Sequence, residues 1–144
     1  MNKTYETKKT DVKRQWYLVD AKDKILGRLA ARVAAVLRGK HKAIFSPYLD
    51  AGDGVIVINA SKIKVTGRKL QQKVYRRYSG YPGGLREVYL KDMLKNKPAT
   101  VIRLAVERML PKGHLSRQMI KKLRIYVDEK QPHQEQKPLV LEIK

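Results

Sequence analysis

The residues best suited to chemistry in this sequence are cations, and they occur in clusters. The chain of 144 residues carries 33 lysines and arginines against 13 aspartates and glutamates, a formal net charge of +20. One basic cluster usually marks a solvated surface, but several in a chain of this charge are better explained by contacts with many phosphate groups. The pattern therefore predicts binding to a polyanion, of which nucleic acid is the commonest. The clusters are Arg38 to Lys42, Arg68 to Lys73, Arg76-Arg77, Lys112 to Arg117 and Lys121-Lys122.

A glycine-dense loop, Ser79-Gly80-Tyr81-Pro82-Gly83-Gly84, is flanked by Arg76-Arg77 and by Arg86. Glycine has no Cβ, so its N–H group can come close to a phosphate. Tyr78 and Tyr81 offer rings on which an exposed base can stack. The loop lacks the Gly-Lys-Ser/Thr end of a nucleotide-binding loop, and it does not open a helix with a Gly-x-Gly-x-x-Gly pattern. A tight turn explains the glycines about as well as an RNA contact does.

No constellation in the sequence supports catalysis or metal binding. His41, His114 and His133 lie far apart and lack metal-ligand spacing. Asp50 and Asp53 lie in a glycine-containing loop without the further acids of a calcium loop, and we expect their carboxylates to accept backbone N–H groups and hold this loop. The chain has no cysteine and no Gly-x-Ser-x-Gly nucleophile motif. The sequence thus predicts a protein without a cofactor and without enzymatic activity.

Length and composition favour one folded domain in a reducing compartment. Hydrophobic residues make up 42% of the chain, enough for a modest core. No apolar run approaches the length of a membrane span, and residues 1–14 lack the apolar segment of a secretory signal. The absence of cysteine agrees with a cytosolic location but does not require one. We therefore expect a cytoplasmic protein.

The clearest elements that could position the cations are a strand, a helix and a second strand. Residues 16–21 have the composition of a strand, and residues 55–58 form a continuous apolar run typical of a strand covered on both faces. Between them, residues 26–37 repeat apolar side chains at three- and four-residue spacing, which predicts a helix. Arg28 and Arg32 share the opposite face of this helix. The order favours a βαβ unit in a parallel sheet.

The rest of the chain is predicted to alternate shorter elements with basic loops. Gly39 is expected to end the first helix, and residues 62–66 alternate like a strand. Further strands are predicted at 73–78 and 125–127, and further helices at 89–94, 98–110 and 115–123. We predict a basic N-terminal arm at 1–14, a single α/β RNA-binding domain at 15–127 and an extended C-terminal tail at 128–144.

The order of short motifs along the chain resembles a known family, that of the thirteenth protein of the large ribosomal subunit, bacterial type. The resemblance covers roughly residues 13–127, and a consistent order of motifs is far more specific than any one of them. The motifs that carry it are Trp16-Tyr17-Leu18-Val19-Asp20-Ala21, Leu26-Gly27-Arg28-Leu29-Ala30, Leu37-Arg38-Gly39-Lys40-His41-Lys42, Asp50-Ala51-Gly52-Asp53, Val57-Ile58-Asn59-Ala60, Val65-Thr66-Gly67-Arg68-Lys69, Lys73-Val74-Tyr75, Ser79-Gly80-Tyr81-Pro82-Gly83-Gly84 and Met109-Leu110-Pro111-Lys112-Gly113.

The resemblance implies both a fold and a function. The fold would be a single three-layer α/β domain, with a mainly parallel sheet of about four strands flanked by helices, basic loops and extended termini. The function would be that of a structural constituent of the large ribosomal subunit, which binds ribosomal RNA and neighbouring ribosomal proteins and enters subunit assembly early. No enzymatic activity, cofactor, small-molecule substrate or membrane contact is implied.

The residues expected to contact RNA come from the basic clusters and from the resemblance together. They are Lys13, Arg14, Arg28, Arg32, Arg38, Lys40, His41, Lys42, Arg68, Lys69, Lys73, Arg76, Arg77, Tyr78, Ser79, Gly80, Tyr81, Gly83, Gly84, Arg86, Lys112, Gly113, Arg117, Lys121 and Lys122. Two alternatives stay open. One is a general nucleic-acid binder or a regulator that binds messenger RNA, and the motif order argues against it. The other is an α/β enzyme acting on a phosphorylated substrate, which would need an acid, base or nucleophile constellation.

Overall fold

The computed structural model describes residues 6–143, so residues 1–5 of the predicted N-terminal arm lie outside the described part of the chain. In chain order the elements are β1 (Trp16–Asp20), α1 (Leu26–Arg38), β2 (Gly54–Ile58), α2 (Lys69–Gln72), β3 (Val74–Tyr78), β4 (Leu85–Tyr89), α3 (Leu90–Asn96), α4 (Pro98–Met109), α5 (His114–Lys121), β5 (Leu123–Ile125) and β6 (Leu139–Val140). Single turns of 3-10 helix occur at Lys9–Asp11, Ala60–Lys62 and Gln134–Gln136.

A parallel sheet forms the centre of the molecule. Its four strands lie in the order β5-β2-β1-β6, and each neighbouring pair is parallel. Every residue of β2 is buried, as expected of a central strand covered on both faces. The predicted single α/β domain, with a mainly parallel sheet of about four strands flanked by helices, is confirmed. A separate two-stranded antiparallel sheet, β3 with β4, completes the strand pairing.

The helix α1 buries its apolar face and exposes its arginines, as the spacing predicts. Leu29, Val33 and Leu37 have no solvent exposure, and α1 packs against α4 and β2. The helix ends where Gly39 adopts a left-handed φ of 84° and donates its N–H to the carbonyls of Ala35 and Val36. A Cβ at Gly39 would meet the backbone of the loop before β2 at 3.0 Å, so glycine is required here for both conformation and space.

The segment 62–66 forms no full strand, although its alternation predicts one. It makes a single isolated bridge between Ile25 and Lys64. The Lys64 N–H donates to the Lys24 carbonyl, and the Lys64 carbonyl accepts the N–H of Leu26 at 2.9 Å. Because no side chain caps the start of α1, this carbonyl satisfies one of the helix's free N–H groups. The segment therefore fixes where α1 begins.

The predicted strand at 73–78 forms one arm of a β-hairpin rather than part of the central sheet. It corresponds to β3, which pairs with β4 in register from Val74 opposite Tyr89 to Tyr78 opposite Leu85. The sequence pattern predicts no strand at β4 and predicts that the next helix begins at Tyr89, whereas α3 begins at Leu90. All five residues of β4 are exposed, so no burial pattern marks this strand.

The C-terminal elements differ in position from those predicted. Helix α5 ends at Lys121 and β5 covers 123–125, two residues earlier than the predicted strand at 125–127. Residues 128–144 were predicted as an extended tail, and the structure shows that β6 within them pairs with β1 at the edge of the sheet. Beyond β6, the Leu141 N–H donates to the Leu18 carbonyl, and Ile143 is buried in the core.

Candidate nucleic-acid interface

The basic loop between α1 and β2 is held by a buried carboxylate. Asp53 has no solvent exposure, and its Oδ1 accepts the Gln15 N–H at 2.8 Å and the Lys42 Nζ at 2.6 Å. His41 Nε2 lies 2.7 Å from the other carboxylate oxygen. We call Gln15, His41, Lys42 and Asp53 the Asp53 cluster. A buried charge is tolerated only when it is paired in this way, so the cluster ties the loop to the start of β1.

A second carboxylate, Asp50, holds the same loop against the end of α5. Lys122 Nζ donates to Asp50 Oδ1 at 2.6 Å and to the Gly52 carbonyl at 2.9 Å, and Arg14 lies 3.6 Å from the carboxylate. Burial lowers the pKa of Lys122 below its usual value, and the Asp50 carboxylate partly offsets this effect. Asp50 and Asp53 thus hold the loop as expected, but the expected backbone N–H donor is found only at Asp53, where it is that of Gln15. The partners recorded for Asp50 are the side-chain cations Lys122 and Arg14.

Two lysines expected to contact RNA thus have internal partners. Lys42 Nζ also donates to the carbonyl of Lys13 at 2.7 Å, and its side chain is only 17% exposed. The Lys122 side chain is 13% exposed. Direct RNA contact by Lys42 and Lys122 stays a prediction, but their visible role is to shape the loop that presents Lys40 and the backbone around it.

The exposed face of α1 carries cations beside small residues. Arg28 and Arg32 are exposed and border a groove of about 680 Å³, which is also lined by Ala31, Ala35, Glu142 and Ile143. At the end of the helix, the Arg38 guanidinium lies 5.4 Å from the ring centre of Phe45 and is partly buried. The small side chains let a large ligand approach α1 closely between the arginines, which suits a nucleic-acid backbone.

The hairpin of β3 and β4 presents exposed aromatic and basic side chains. Tyr78 is 63% exposed and Tyr81 is 75% exposed, so both rings are free to stack on a base. Arg76 forms an ion pair with Glu87, whereas Arg77 lies opposite Arg86. The hairpin brings together the residues that the sequence analysis selected on either side of the glycine loop.

The glycines of this loop are explained first by its turn. Gly80 and Gly83 have φ of 93° and 71°, a region that other residues rarely adopt. The Ser79 N–H donates to the Gly84 carbonyl, and the Gly84 N–H donates to the Tyr81 carbonyl. The other backbone N–H groups of the loop do not take part in these turn bonds. Their close approach to RNA stays a prediction.

A crevice at the base of the hairpin collects further cations. It has a volume of about 240 Å³ and is lined by Lys69, Lys73 and Arg108 among apolar side chains. Lys73 Nζ and the Arg108 guanidinium lie 5.4 Å and 5.8 Å from the centre of the Tyr75 ring. Burial raises the pKa of Tyr75 above its usual value. Arg108 is not among the residues expected to contact RNA, because Lys73 and Tyr75, which reveal its place in this cluster, lie more than thirty residues earlier in the chain.

Helix α5 and the N-terminal arm border an open cleft of about 730 Å³. Its lining includes Arg14, which is expected to contact RNA, and His114, which lies in the basic cluster Lys112 to Arg117. Asp50 also lines it, together with Lys9 and Tyr48, two residues for which the sequence predicts no RNA contact. Tyr48 is 58% exposed, and an exposed aromatic residue in a basic loop was the available signal. The selected residues Arg68, Lys112, Arg117 and Lys121 are exposed on the surface, as is Gly113, where the chain turns into α5.

Within residues 6–143, no group of histidines and acids could hold a metal ion, and no helix is long and apolar enough to cross a membrane. The acids of the basic loop serve ion pairs instead. Fold and surface together define a class: α/β domains whose exposed cations, on loops and helix faces, suit a polyanionic partner.

Comparison with known proteins identifies the family. The ribosomal protein L13 family matches residues 14–132. The large ribosomal subunit protein uL13 of Aquifex aeolicus is 58% identical over 142 residues, which is 99% of each chain. The proteins of the same name from Lachnospira eligens and Syntrophomonas wolfei are 57% and 55% identical, over 96% and 99% of this chain and 98% and 99% of their own. The chain belongs to the ribosomal protein L13 family, and the resemblance found in its motifs is confirmed.

Family membership also bears on activity. The chain belongs to a family of ribosomal proteins, which confirms the prediction that it is not an enzyme. An enzyme acting on a phosphorylated substrate is therefore excluded as an alternative.

Proposed function

We propose that this chain is a structural constituent of the large ribosomal subunit that binds ribosomal RNA. The observation that carries the proposal is the full-length similarity to relatives named as large-subunit proteins, at 58% identity in the first of them. The charge of +20 supports it, because a folded domain with this much self-repulsion needs a polyanion to neutralise it. The protein would act in the cytoplasm, as part of the ribosome.

The contacts would come from exposed cations that the fold holds in place. Arg28 and Arg32 on α1, Arg77 and Arg86 on the hairpin, and the cations of α5 all project from defined elements. Such contacts read the shape and backbone of a folded RNA rather than its base sequence. The internal ion pairs of Asp50 and Asp53 would keep the loop at 39–53 in a conformation ready for RNA.

The remaining part of the proposal concerns assembly. We also propose early entry into subunit assembly and contacts with neighbouring large-subunit proteins, as the resemblance in the motifs implies. A protein that binds RNA through shape and backbone contacts can join before its protein neighbours, since the RNA surface alone supplies its partner. In cells, early precursors of the large subunit should therefore already contain the chain, and precursors that lack it contradict this part.

Cosedimentation tests the proposal in cells. A tagged copy of the full chain is expressed in a related bacterium, and ribosomes are separated on a sucrose gradient at low magnesium after a high-salt wash. We expect the tagged chain in the large-subunit fraction and not in the small-subunit fraction. A chain found free at the top of the gradient, or bound equally to unrelated RNA and DNA, would favour a general nucleic-acid binder and reject the proposal.

A further inference from the structure

The hairpin of β3 and β4 holds two consecutive cross-strand pairs of opposite electrostatic character. Arg76 lies opposite Glu87 and forms an ion pair with it, whereas Arg77 lies opposite Arg86. Alternate residues of a strand point to opposite faces, so the two pairs occupy opposite faces of the hairpin. At these two pairs, one face of the hairpin therefore carries one positive and one negative charge, whereas the other face carries two guanidinium groups.

The like-charged pair has no acidic partner among the residues that the structure describes. Side chains directly opposite in an antiparallel pair have Cβ atoms only about 4.5–5.5 Å apart, and like charges there are destabilising. Among residues 6–143, no ion pair involves Arg77 or Arg86, and both are exposed. An anion between the two groups would turn this repulsion into attraction.

The next cross-strand pair on this face also carries no carboxylate. The next pair toward the core is Tyr75 opposite Val88, and the Tyr75 ring has Lys73 Nζ and the Arg108 guanidinium nearby at 5.4 Å and 5.8 Å. Successive side chains on one face of a strand are about 7 Å apart, so cations follow the face from its outer part to its base. The face thus suits an extended anion, such as a nucleic-acid backbone.

We propose that Arg77 and Arg86 hold one phosphate group of the bound RNA between them, and that their face of the hairpin is the one turned to the RNA. The proposal deepens the proposed function and rests on it. Two planar guanidinium forks can each donate paired hydrogen bonds to phosphate oxygens, a geometry that lysine cannot supply. Binding would also stabilise the hairpin, since the phosphate removes the cross-strand repulsion.

A double-mutant cycle tests whether the two arginines share one phosphate. The affinity of the purified full chain for purified large-subunit ribosomal RNA is measured at fixed low salt for Arg77→Gln, Arg86→Gln and the double variant. We expect each single change to weaken binding roughly five- to tenfold, and the double change to weaken it by clearly less than the product of the two. Losses that multiply, or no loss, would overturn the proposal.

The opposite face provides a matched control. The single change Glu87→Gln breaks the ion pair on that face and replaces no residue that is expected to contact RNA. The affinity of this variant for the RNA should stay within about twofold of that of the original chain. Binding that becomes five- to tenfold tighter would mean that the released Arg76 meets the RNA and that the wrong face was chosen, and would also overturn the proposal.

Hydrogen exchange of the free chain gives a readout that simple loss of charge does not predict. Arg86→Glu would place a carboxylate opposite Arg77 and recreate the balanced pair of the other face. We expect slower amide exchange in β3 and β4 of the free variant, together with RNA binding weaker than that of Arg86→Gln. Unchanged or faster exchange would overturn the proposal.

These experiments also separate the proposal from the proposed function on which it rests. If the original chain did not bind the RNA, the proposed function would be wrong as well. If the original chain binds and only the variants depart from these expectations, the pairing of Arg77 and Arg86 around one phosphate is wrong and the proposed function is unaffected.

Discussion

At the scale of single residues, the structure separates cations that hold the fold from cations that face the solvent. Lys42 and Lys122 point at the buried or partly buried carboxylates of Asp53 and Asp50, whereas Arg28 and Arg32 are exposed. Charge alone does not tell these groups apart in the sequence. The positions of Asp50 and Asp53 among small residues do predict that their carboxylates hold the loop. They do not predict which lysines pair with these carboxylates.

Asp53 should be a critical residue for folding. The change Asp53→Ala would remove the carboxylate that pairs with the Lys42 ammonium and with His41 and that accepts the Gln15 N–H. Breaking a buried pair on one side costs about 3–5 kcal/mol. Urea unfolding of the free chain measures this loss. Lys64→Ala is the control, since Lys64 pairs with Asp23 at the exposed surface and loss of this pair should change stability far less. Equal stability of the two variants would refute the role given to Asp53.

Tyr75 should make the stability of the free chain fall at alkaline pH. Burial raises the pKa of its hydroxyl in the folded state above the ordinary value of 10.0, so the unfolded chain loses this proton first. The stabilising effect is complete below pH 10 and is lost as the pH rises through the folded-state pKa. Comparing the original chain with Tyr75→Phe by urea unfolding between pH 8 and pH 11 should show the original losing more stability above about pH 10. Parallel pH profiles would contradict this.

At the scale of elements, long periodic segments could be predicted and short paired ones could not. Helix α1, its apolar face and its end at Gly39 follow from local spacing. Strand β6 has two residues, and it forms only because β1, more than a hundred residues earlier, offers a free edge. Strand β4 is exposed at every position and is defined by its partner β3. Pairing between distant segments leaves no trace in local periodicity, which explains both omissions.

Substitutions at two neighbouring residues can test which face of α1 is buried and which is exposed. Val33 has no solvent exposure, so Val33→Asp would bury an unpaired charge and cost several kcal/mol, enough to unfold much of the free chain. Arg32 is the next residue back and is exposed, so Arg32→Ala should change stability by about 0.5 kcal/mol or less and should weaken RNA binding. Circular dichroism with thermal unfolding gives the first result and an RNA affinity measurement the second. Reversed outcomes would mean that the assigned faces are wrong.

The C-terminal segment should stabilise the domain despite its polar composition. Ile143 is 7% exposed within the core, so Ile143→Ala should destabilise the free chain by about 2–4 kcal/mol. Val140 in β6 is 75% exposed and provides the control, since Val140→Ala removes little buried surface. Denaturant unfolding decides the matter. If both changes cost the same small amount, the segment is not part of the cooperative fold.

At the scale of the whole molecule, charge, fold and family agree on one account. The parallel sheet and its helices form a core that needs no ligand to define it, and the cations outside that core are too many for the chain's own acids. The sequence could predict this balance and the family, because net charge and motif order are properties of the whole chain. It could not predict which basic groups meet in space, since the hairpin, the arm and α5 are brought to their positions by contacts between distant residues.

The salt dependence of RNA binding tests the central claim most directly. The equilibrium constant of the free chain for purified large-subunit ribosomal RNA is measured between about 50 and 200 mM monovalent salt, the range over which counterion release is well described. If the exposed cations neutralise about six or more phosphates, affinity should fall by about a thousandfold or more across this range, with a straight line of log K against log salt concentration. A flat response would contradict the account, because it would mean that the charge of this chain does not serve to bind RNA.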